Sequence, residues 1–188
     1  MPILSEATRS SARRMLLERA RALRSIEFGP EVEKTFTLAE IRAGAAEAGI
    51  AAWLAGEVWP YARAQPALYT ISASNVATAY EIDRAFPRGQ TREQRGYSVP
   101  RADRRAAGST TLYVGSSEKI RQRLKEHLWQ ARPKTYALNL QRWCPHGDGS
   151  VRVRVQPILN NRERQIRQDL EDFVWRELTP VYGKQGGR

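Results

Sequence analysis

The segment that most constrains this chain is LYVGSSEKIRQRLKEHL, which runs from Leu112 to Leu128. Its first part is rich in β-forming residues and ends at Gly115, so it predicts a short strand over residues 110–115. The part that follows two serines has helical spacing of apolar residues and predicts a helix over residues 118–130. The chain is therefore expected to place a strand, a tight glycine turn and a helix in direct succession.

Apolar spacing elsewhere predicts two more strands and several helices. The strands are ALYTI at residues 67–71 and VRVRVQPIL at residues 151–159. Helical patterns cover residues 5–26, 37–64, 75–86 and 162–178. From residue 66 onward, the strands and the helices that cover them follow the order strand, strand, helix, strand, helix. This order predicts an α+β fold with a small three-stranded mixed sheet flanked by helices.

The chain divides into an N-terminal helical extension, residues 1–65, and a main domain, residues 66–188. Residues 72–109 form a long connection between the first two strands, and such long connections are usually functional or partly disordered. With seven arginines and four carboxylates, this connection is a basic insert. Its arginines, which are candidates for DNA contact, are Arg84, Arg88, Arg92, Arg95, Arg101, Arg104 and Arg105. The alternative is an insert that wraps the domain or forms a dimer contact.

The overall charge favours a polyanionic partner. The 188 residues carry a formal net charge of +11, with a sequence pI near 10.4. A globular protein this basic commonly binds nucleic acid, although a generic basic surface would have the same charge. A single cysteine excludes an internal disulfide and suits a reducing cytoplasm. The sequence has no secretory leader pattern and no apolar run of about 20 residues, so we expect a cytoplasmic protein that does not span a membrane.

The helix predicted after Gly115 carries the clearest chemical signal. Arg123 and His127 are four residues apart, so both side chains lie on one helical face. The planar guanidinium of arginine can give two parallel charged hydrogen bonds to a phosphate. The last helix adds carboxylates, and magnesium often binds only one or two protein carboxylates while keeping several waters. Those carboxylates are Asp169, Glu171, Asp172 and Glu177.

Together these segments resemble the GIY-YIG nuclease family over residues 66–185. The likeness rests on the tyrosines of ALYTI and LYVG, which are Tyr69 and Tyr113, on the R-L-x-x-H pattern of the helix, and on the glutamate in EDFVWREL. Ala67 and Leu68 stand where the first family motif has glycine and isoleucine.

The resemblance implies a metal-dependent endonuclease that hydrolyses phosphodiester bonds in DNA. Glu171 would be the carboxylate that binds Mg²⁺ or Mn²⁺, and Arg123 would contact the scissile phosphate. Tyr69 would take the proton from the attacking water with His127 as its partner, while Tyr113 would orient the water or the phosphate. The two tyrosines can also exchange these roles.

Three small residues complete the comparison with the family. Gly115 would let the chain turn into the helix without a side chain near the phosphate. Ser116 would lie at the helix start, where free N–H groups attract an anion. Gly183 stands where the family often has an asparagine, so one contact that supports the metal site is missing from the pattern.

Three functions are compatible with these observations. The first is a sequence-specific endonuclease of restriction type acting on double-stranded DNA, and a palindromic target would require a homodimer because one active site cuts one strand. The second is a less specific DNase, such as a toxin effector or a repair nicking enzyme. The third is a catalytically inactive DNA-binding module.

Overall fold

In this computed structural model, which describes residues 5–55, 65–102, 106 and 108–186, four strands form one antiparallel sheet. The strands are β1 (Val32–Thr37), β2 (Ala67–Ala73), β3 (Thr111–Ser117) and β4 (Ser150–Pro157), and their spatial order is β1-β4-β2-β3. The helices are α1 (Glu6–Arg24), α2 (Leu38–Arg42), α3 (Ala45–Ala55), α4 (Val76–Ala85), α5 (Arg92–Arg95), α6 (Ile120–Leu128) and α7 (Arg164–Leu178). The fold is thus α+β, as expected.

The expected three-stranded mixed sheet is wrong in two respects. The sequence does not predict β1, because VEKTFT lacks the alternation of apolar and polar residues that marks a strand. Phe36 is the only fully buried residue of this strand. The sheet is antiparallel throughout because β2 lies between β3 and β4 and pairs with each of them in the antiparallel sense. Strands β3 and β4 run in the same direction, but they are not neighbours.

The core lies on one face of this sheet. In β4, Val151, Val153 and Val155 are fully buried, while the arginines between them are exposed on the other face. The register pairs Tyr69 with Val155 and Ile71 with Val153, so Tyr69 belongs to the buried face. A strand position therefore places this tyrosine inside the core.

The N-terminal segments pack around the sheet. A capping box begins α2, with Thr37 and Glu40 each bonding the backbone N–H of the other. Strand β1 pairs with β4, so part of the segment expected as an extension belongs to the sheet. Helix α1 has no buried residue and is tied to α7 by the ion pair of Arg19 with Asp169. The last nine residues of the helix expected over 37–64 lie outside the described residues.

The C-terminal segment connects the basic insert to the edge of the sheet. The backbone N–H groups of Val181 and Tyr182 donate to the first two carbonyls of β3, each at 2.9 Å. The N–H of Gly183 donates to the carbonyl of Arg101 at 2.8 Å, and Ala102 pairs with Tyr182. The end of the insert is therefore held beside β3 by two successive backbone pairings.

None of the helices in the described ranges is both long enough and apolar enough to cross a membrane.

Candidate active site

The two expected tyrosines lie side by side on neighbouring strands. Tyr69 of β2 is paired with Gly115 of β3, and Ile71 is paired with Tyr113, so both tyrosines project from the same face. Their ring centroids are 6.1 Å apart and the rings are inclined by only 16°. Antiparallel register alone therefore brings the two phenol groups together.

Gly115 has a different role from the one expected. It lies inside β3 and not in a turn, and α6 begins only at Ile120. A Cβ atom on Gly115 would lie 2.4 Å from Oη and 2.6 Å from Cζ of Tyr69, both far inside contact distance. The glycine is therefore needed because the Tyr69 ring occupies the space above it.

Replacing Gly115 with alanine is expected to displace the Tyr69 ring. We expect a loss of about 1–3 kcal/mol in the free energy of unfolding, typical of overpacking a core. In the DNA cleavage that the family resemblance implies, the displaced phenol should lower the rate on the order of 10²-fold. Urea unfolding and a plasmid cleavage assay measure the two effects.

Gly96→Ala is the matched control, because Gly96 has a φ of +73° and no atom near the position of an added Cβ. Its strained backbone should also lower stability, by about 1 kcal/mol, while cleavage stays unchanged. Full cleavage by Gly115→Ala would show that the position of Tyr69 is not needed.

Arg123 connects the two tyrosines to the loop beyond α6. Its Nε lies 3.3 Å from the Tyr69 hydroxyl, and its Nη2 lies 3.4 Å from the Tyr113 hydroxyl. Nη2 also donates to the backbone carbonyl of Tyr136 at 2.7 Å, and Nη1 pairs with Glu126 at 3.0 Å. Since Glu126 is itself largely buried, the guanidinium is held in one orientation.

His127 lies behind the tyrosines and is fully buried. Its Nδ1 accepts a hydrogen bond from the backbone N–H of Leu138 at 3.2 Å, so Nδ1 carries no proton. Burial lowers the pKa of His127 well below its usual value, and the positive charge of Arg123 lowers it further. The neutral ring therefore carries its proton on Nε2, which lies 3.0 Å from the Tyr69 hydroxyl.

This tautomer makes His127 a donor to Tyr69. The hydroxyl oxygen of Tyr69 accepts hydrogen bonds from His127 and from Arg123, and both favour the phenolate form. If Tyr69 passed its proton on to this partner, the ring of His127 would have to accept it. A ring that took a second proton would carry it on Nδ1, and two N–H groups would then face each other at Leu138. The geometry therefore favours His127 as a fixed donor to Tyr69.

Burial dominates the ionisation of both tyrosines. It raises the pKa of Tyr69 well above its usual value, and the nearby Tyr113 adds to this, while Arg123 opposes it. Burial likewise raises the pKa of Tyr113, again against the effect of Arg123. Both phenols are thus neutral at neutral pH in the absence of further positive charge.

Glu171 of α7 meets β3 from the other face of the sheet. The Ser116 hydroxyl donates to Glu171 Oε2 at 2.7 Å. Successive strand residues alternate, so Ser116 faces away from Gly115 and toward α7. Burial raises the pKa of the Glu171 carboxyl, and hydrogen bonding from Ser116 opposes that shift. The sequence predicts Ser116 at the start of the helix. It lies in β3 instead, where its hydroxyl positions this carboxylate.

The neighbouring carboxylates of α7 are engaged elsewhere. Asp169 forms a two-point ion pair with Arg19 of α1. Asp172 accepts hydrogen bonds from Gln168 and from the backbone N–H of Gly186, each at 2.8 Å. Of these three acidic residues, Glu171 is the one that lines the cavity beside the tyrosines.

That cavity has a volume of about 560 Å³ and lies beside β3, whose residues Tyr113, Val114, Gly115 and Ser116 line it. Tyr69, Tyr113, Arg123 and Glu171 all line it, whereas His127 lies behind its wall. Within the described part of the chain, five basic side chains and one carboxylate line the cavity. The basic ones are Arg101, Arg123, Arg164, Arg167 and Lys184. The cavity is therefore suited to an anion.

The insert arginines fall into three groups. Arg101 lines the cavity, because its backbone pairs with Gly183. The helix and loop arginines before it lie away from the cavity, where Arg88 pairs with Asp83 and Arg95 bonds carbonyls of its own loop. Arg84 and Arg92 pair weakly with glutamates of their own helices, at 3.7 and 3.6 Å. Arg104 and Arg105 lie outside the described residues.

Several cavity residues were not expected from the sequence. Arg164 and Arg167 precede Glu171 by seven and four residues, a helical spacing that could have placed them on its face. Lys184 and Tyr136 reach the cavity through loop geometry, for which the sequence has no pattern. Gly183 lines the cavity with a φ of +114°, a backbone conformation that favours glycine over the asparagine of the family pattern.

The side chains that line the cavity suit a divalent cation that is held by few protein ligands. No cluster of three or more His, Cys, Asp or Glu side chains suited to a metal occurs among the residues that the structure describes. Of the carboxylates that the structure describes, Glu171 is the one that lines the cavity, with Oε2 held by Ser116. One carboxylate plus several waters is a common arrangement for Mg²⁺ bound together with a phosphate.

Comparison with protein-family models, with curated proteins and with solved structures gives no match to this chain.

Proposed function

We propose that this protein is a metal-dependent endonuclease that hydrolyses phosphodiester bonds in DNA. The observation that carries the proposal is the convergence of Tyr69, Tyr113, Arg123 and Glu171 on one basic cavity. These residues come from four separate elements, and they are four of the five for which the resemblance to the GIY-YIG nucleases implies catalytic roles. The fifth, His127, does not line the cavity. Two of the five cations that line the cavity are paired with glutamates, Arg123 with Glu126 and Arg167 with Glu118. The positive charge that remains suits a phosphodiester better than a neutral substrate.

Glu171 and its waters would hold Mg²⁺ or Mn²⁺. When bound, the ion would supply positive charge to a phosphate oxygen and lower the pKa of nearby water and hydroxyl groups. The chain's own contribution is to hold Glu171 in place through Ser116.

Arg123 would bind the scissile phosphate. Its guanidinium is held by Glu126 on one side and by the Tyr136 carbonyl on the other, so the side chain loses little orientational freedom when it binds a phosphate. Negative charge that develops on the phosphoryl oxygens is then met by a fixed cation in a partly buried site, where such stabilisation is large.

Tyr69 is the better candidate for the base. In hydrolysis a water oxygen forms a bond to phosphorus, the bond from phosphorus to the leaving sugar oxygen breaks, and the water proton passes to the base. The Tyr69 oxygen accepts hydrogen bonds from His127 and Arg123, which together stabilise its phenolate. Tyr113, at 3.4 Å from Arg123, would orient the phosphate, and the two tyrosines can exchange these roles.

The pH dependence follows from these pKa shifts. Because burial raises the pKa of Tyr69, only a small fraction is phenolate at neutral pH, and that fraction grows with pH. The cleavage rate is expected to rise about tenfold per unit from about pH 6 to about pH 9. His127, whose pKa is lowered, should add no inflection in this range. A profile that levels off above about pH 6.5, the usual histidine pKa, would instead make an imidazole the base.

The proposal is tested by incubating the purified protein with supercoiled plasmid and Mg²⁺ and sequencing the ends. Cuts at one short palindrome support the restriction-type reading, which is the version we favour because the insert brings an arginine to the cavity. Scattered nicks support a less specific DNase of the toxin or repair kind. Binding without cleavage would rule out the proposed enzymatic function and would indicate a catalytically inactive DNA-binding module.

Two further features belong to this proposal. A palindromic target calls for a homodimer, so sedimentation of the protein with a palindromic duplex should show two chains per duplex. The cytoplasm is the proposed location, because the chain has one cysteine, Cys144, and therefore no internal disulfide.

A further inference from the structure

The loop that follows α6 presents an exposed tyrosine at the mouth of the cavity. Residues 132–136 read RPKTY, and a hydrogen bond from the N–H of Thr135 to the carbonyl of Arg132 closes the turn at 2.9 Å. Tyr136 lines the cavity, yet its side chain is 67% exposed. Arg132 and Lys134, which precede it in the loop, are also exposed.

Buried hydrogen bonds hold this loop at its base. Asn139 is fully buried, and its side chain accepts from the N–H of Ala131 at 2.7 Å while donating to the carbonyl of Ser98 at 2.9 Å. The Ser98 hydroxyl donates to the carbonyl of Pro133 at 3.1 Å. The loop therefore projects into solvent from a fixed base and does not rest on the core.

A hydrogen bond fixes the backbone of Tyr136 next to Arg123. Arg123, the residue proposed to bind the scissile phosphate, donates to the backbone carbonyl of Tyr136 at 2.7 Å. In the part of the chain that the structure describes, neither Arg132 nor Lys134 forms a side-chain ion pair or hydrogen bond. Tyr136 thus lines the cavity, while the two cations that precede it in the same loop are exposed with their contact groups available.

Exposed aromatic side chains combined with nearby cations bind unpaired nucleotides in many proteins. Stacking on a base contributes about 1–3 kcal/mol and suits any base, since every base has a π-face. Inside a duplex the bases are covered by their neighbours, so a side chain can stack on one only where the duplex is opened or kinked.

We propose that Tyr136 stacks on an unstacked base next to the scissile phosphate, while Arg132 and Lys134 contact the phosphates that follow. This inference rests on the proposed function and adds a substrate feature to it: the nucleotide beside the cut is drawn out of the duplex stack. The backbone contact of Arg123 with Tyr136 would then couple base capture to phosphate binding.

The test uses Glu171→Gln protein, which should bind DNA without cutting it, and duplexes carrying the fluorescent base 2-aminopurine beside the cut site. Stacking on Tyr136 should change the 2-aminopurine fluorescence on binding. Adding Tyr136→Ala should remove that change and weaken binding about 5- to 150-fold, whereas Tyr136→Phe should keep both. The carbonyl that accepts from Arg123 is present in all three proteins.

Tyr80→Ala is the matched control, because Tyr80 is 61% exposed on α4 and lies away from the cavity. It should leave the fluorescence change and the affinity as they are. If Tyr136→Ala binds tightly and keeps the fluorescence change, the inference is overturned while the nuclease proposal stands. If the Glu171→Gln parent binds no DNA and the native protein cuts none, both are overturned.

Discussion

Replacing Glu171 with glutamine is expected to abolish metal-dependent cleavage while DNA binding survives. Glutamine has the same shape and can still accept the Ser116 hydrogen bond, but it lacks the charge that a divalent cation requires. Loss of the cation removes several kcal/mol of transition-state stabilisation, which corresponds to on the order of 10³-fold or more in rate. A plasmid nicking time course and a gel-shift assay measure the two quantities.

Asp172→Asn is the matched control on the next residue of α7. Its carboxylate bonds Gln168 and the N–H of Gly186, and it does not line the cavity. Cleavage by this variant should remain within a few-fold of the native rate, in keeping with a surface substitution. If Asp172→Asn loses as much activity as Glu171→Gln, the assignment of the metal ligand is wrong.

Thermal stability gives a readout of the metal site that does not depend on cleavage. Burial raises the pKa of Glu171, so the charged form of this carboxyl is disfavoured in the folded protein. At neutral pH, Glu171→Gln removes that charge, and the metal-free variant should be as stable as the native protein or more stable. Added Mg²⁺ should raise the Tm of the native protein by mass action and leave the Tm of Glu171→Gln unchanged. A Tm shift of equal size in both proteins would place the ion elsewhere.

Local patterns were sufficient to predict the elements that carry the site. Strand β2, strand β3, α6 and α7 were each expected within a few residues, because alternation and helical spacing are written directly in their sequences. The order of the strands was not predictable in the same way. It depends on which edges pair, and β1 contributes to that pairing mainly through backbone hydrogen bonds, since Phe36 is its only fully buried side chain.

The details of the site depend on contacts that are distant in sequence. Arg101 lines the cavity because its carbonyl pairs with Gly183, 82 residues further along the chain. The tautomer of His127 is set by the N–H of Leu138, a group that every residue except proline has. Neither contact leaves a pattern in side-chain types, so periodicity cannot find it.

Gly115 is required for a different reason from the turn that the sequence predicts. A glycine before a predicted helix suggests a turn, since glycine tolerates backbone conformations that other residues avoid. Here the helix begins five residues later, at Ile120, and the glycine lies in a regular strand. What requires it is the Tyr69 ring on the paired strand, which only the register of two strands can bring there.

The second large effect is expected for Arg123→Ala. The variant removes the cation that would face the scissile phosphate, and removal of one such group commonly lowers the rate by on the order of 10²-fold or more. It also leaves the buried Glu126 with Gln122 as its remaining side-chain partner, so some stability should be lost as well. Arg123→Lys keeps the charge that Glu126 needs but not the planar fork, so it separates the two effects. Its unfolding should resemble that of the native protein while its cleavage rate stays well below native.

Arg121→Ala is the control for Arg123, because the two arginines lie on different faces of α6. Arg121 donates to the backbone carbonyl of Leu54 and ties α6 to α3, away from the cavity. Its removal should lower the Tm by a few degrees, the size expected for one lost hydrogen bond, and leave cleavage within a few-fold of native. Rates for the two alanine variants should be compared well below either Tm, so that unfolding does not contribute. If Arg121→Ala then cleaves as slowly as Arg123→Ala, α6 supports the fold without contacting the phosphate, and the site assignment fails at its central residue.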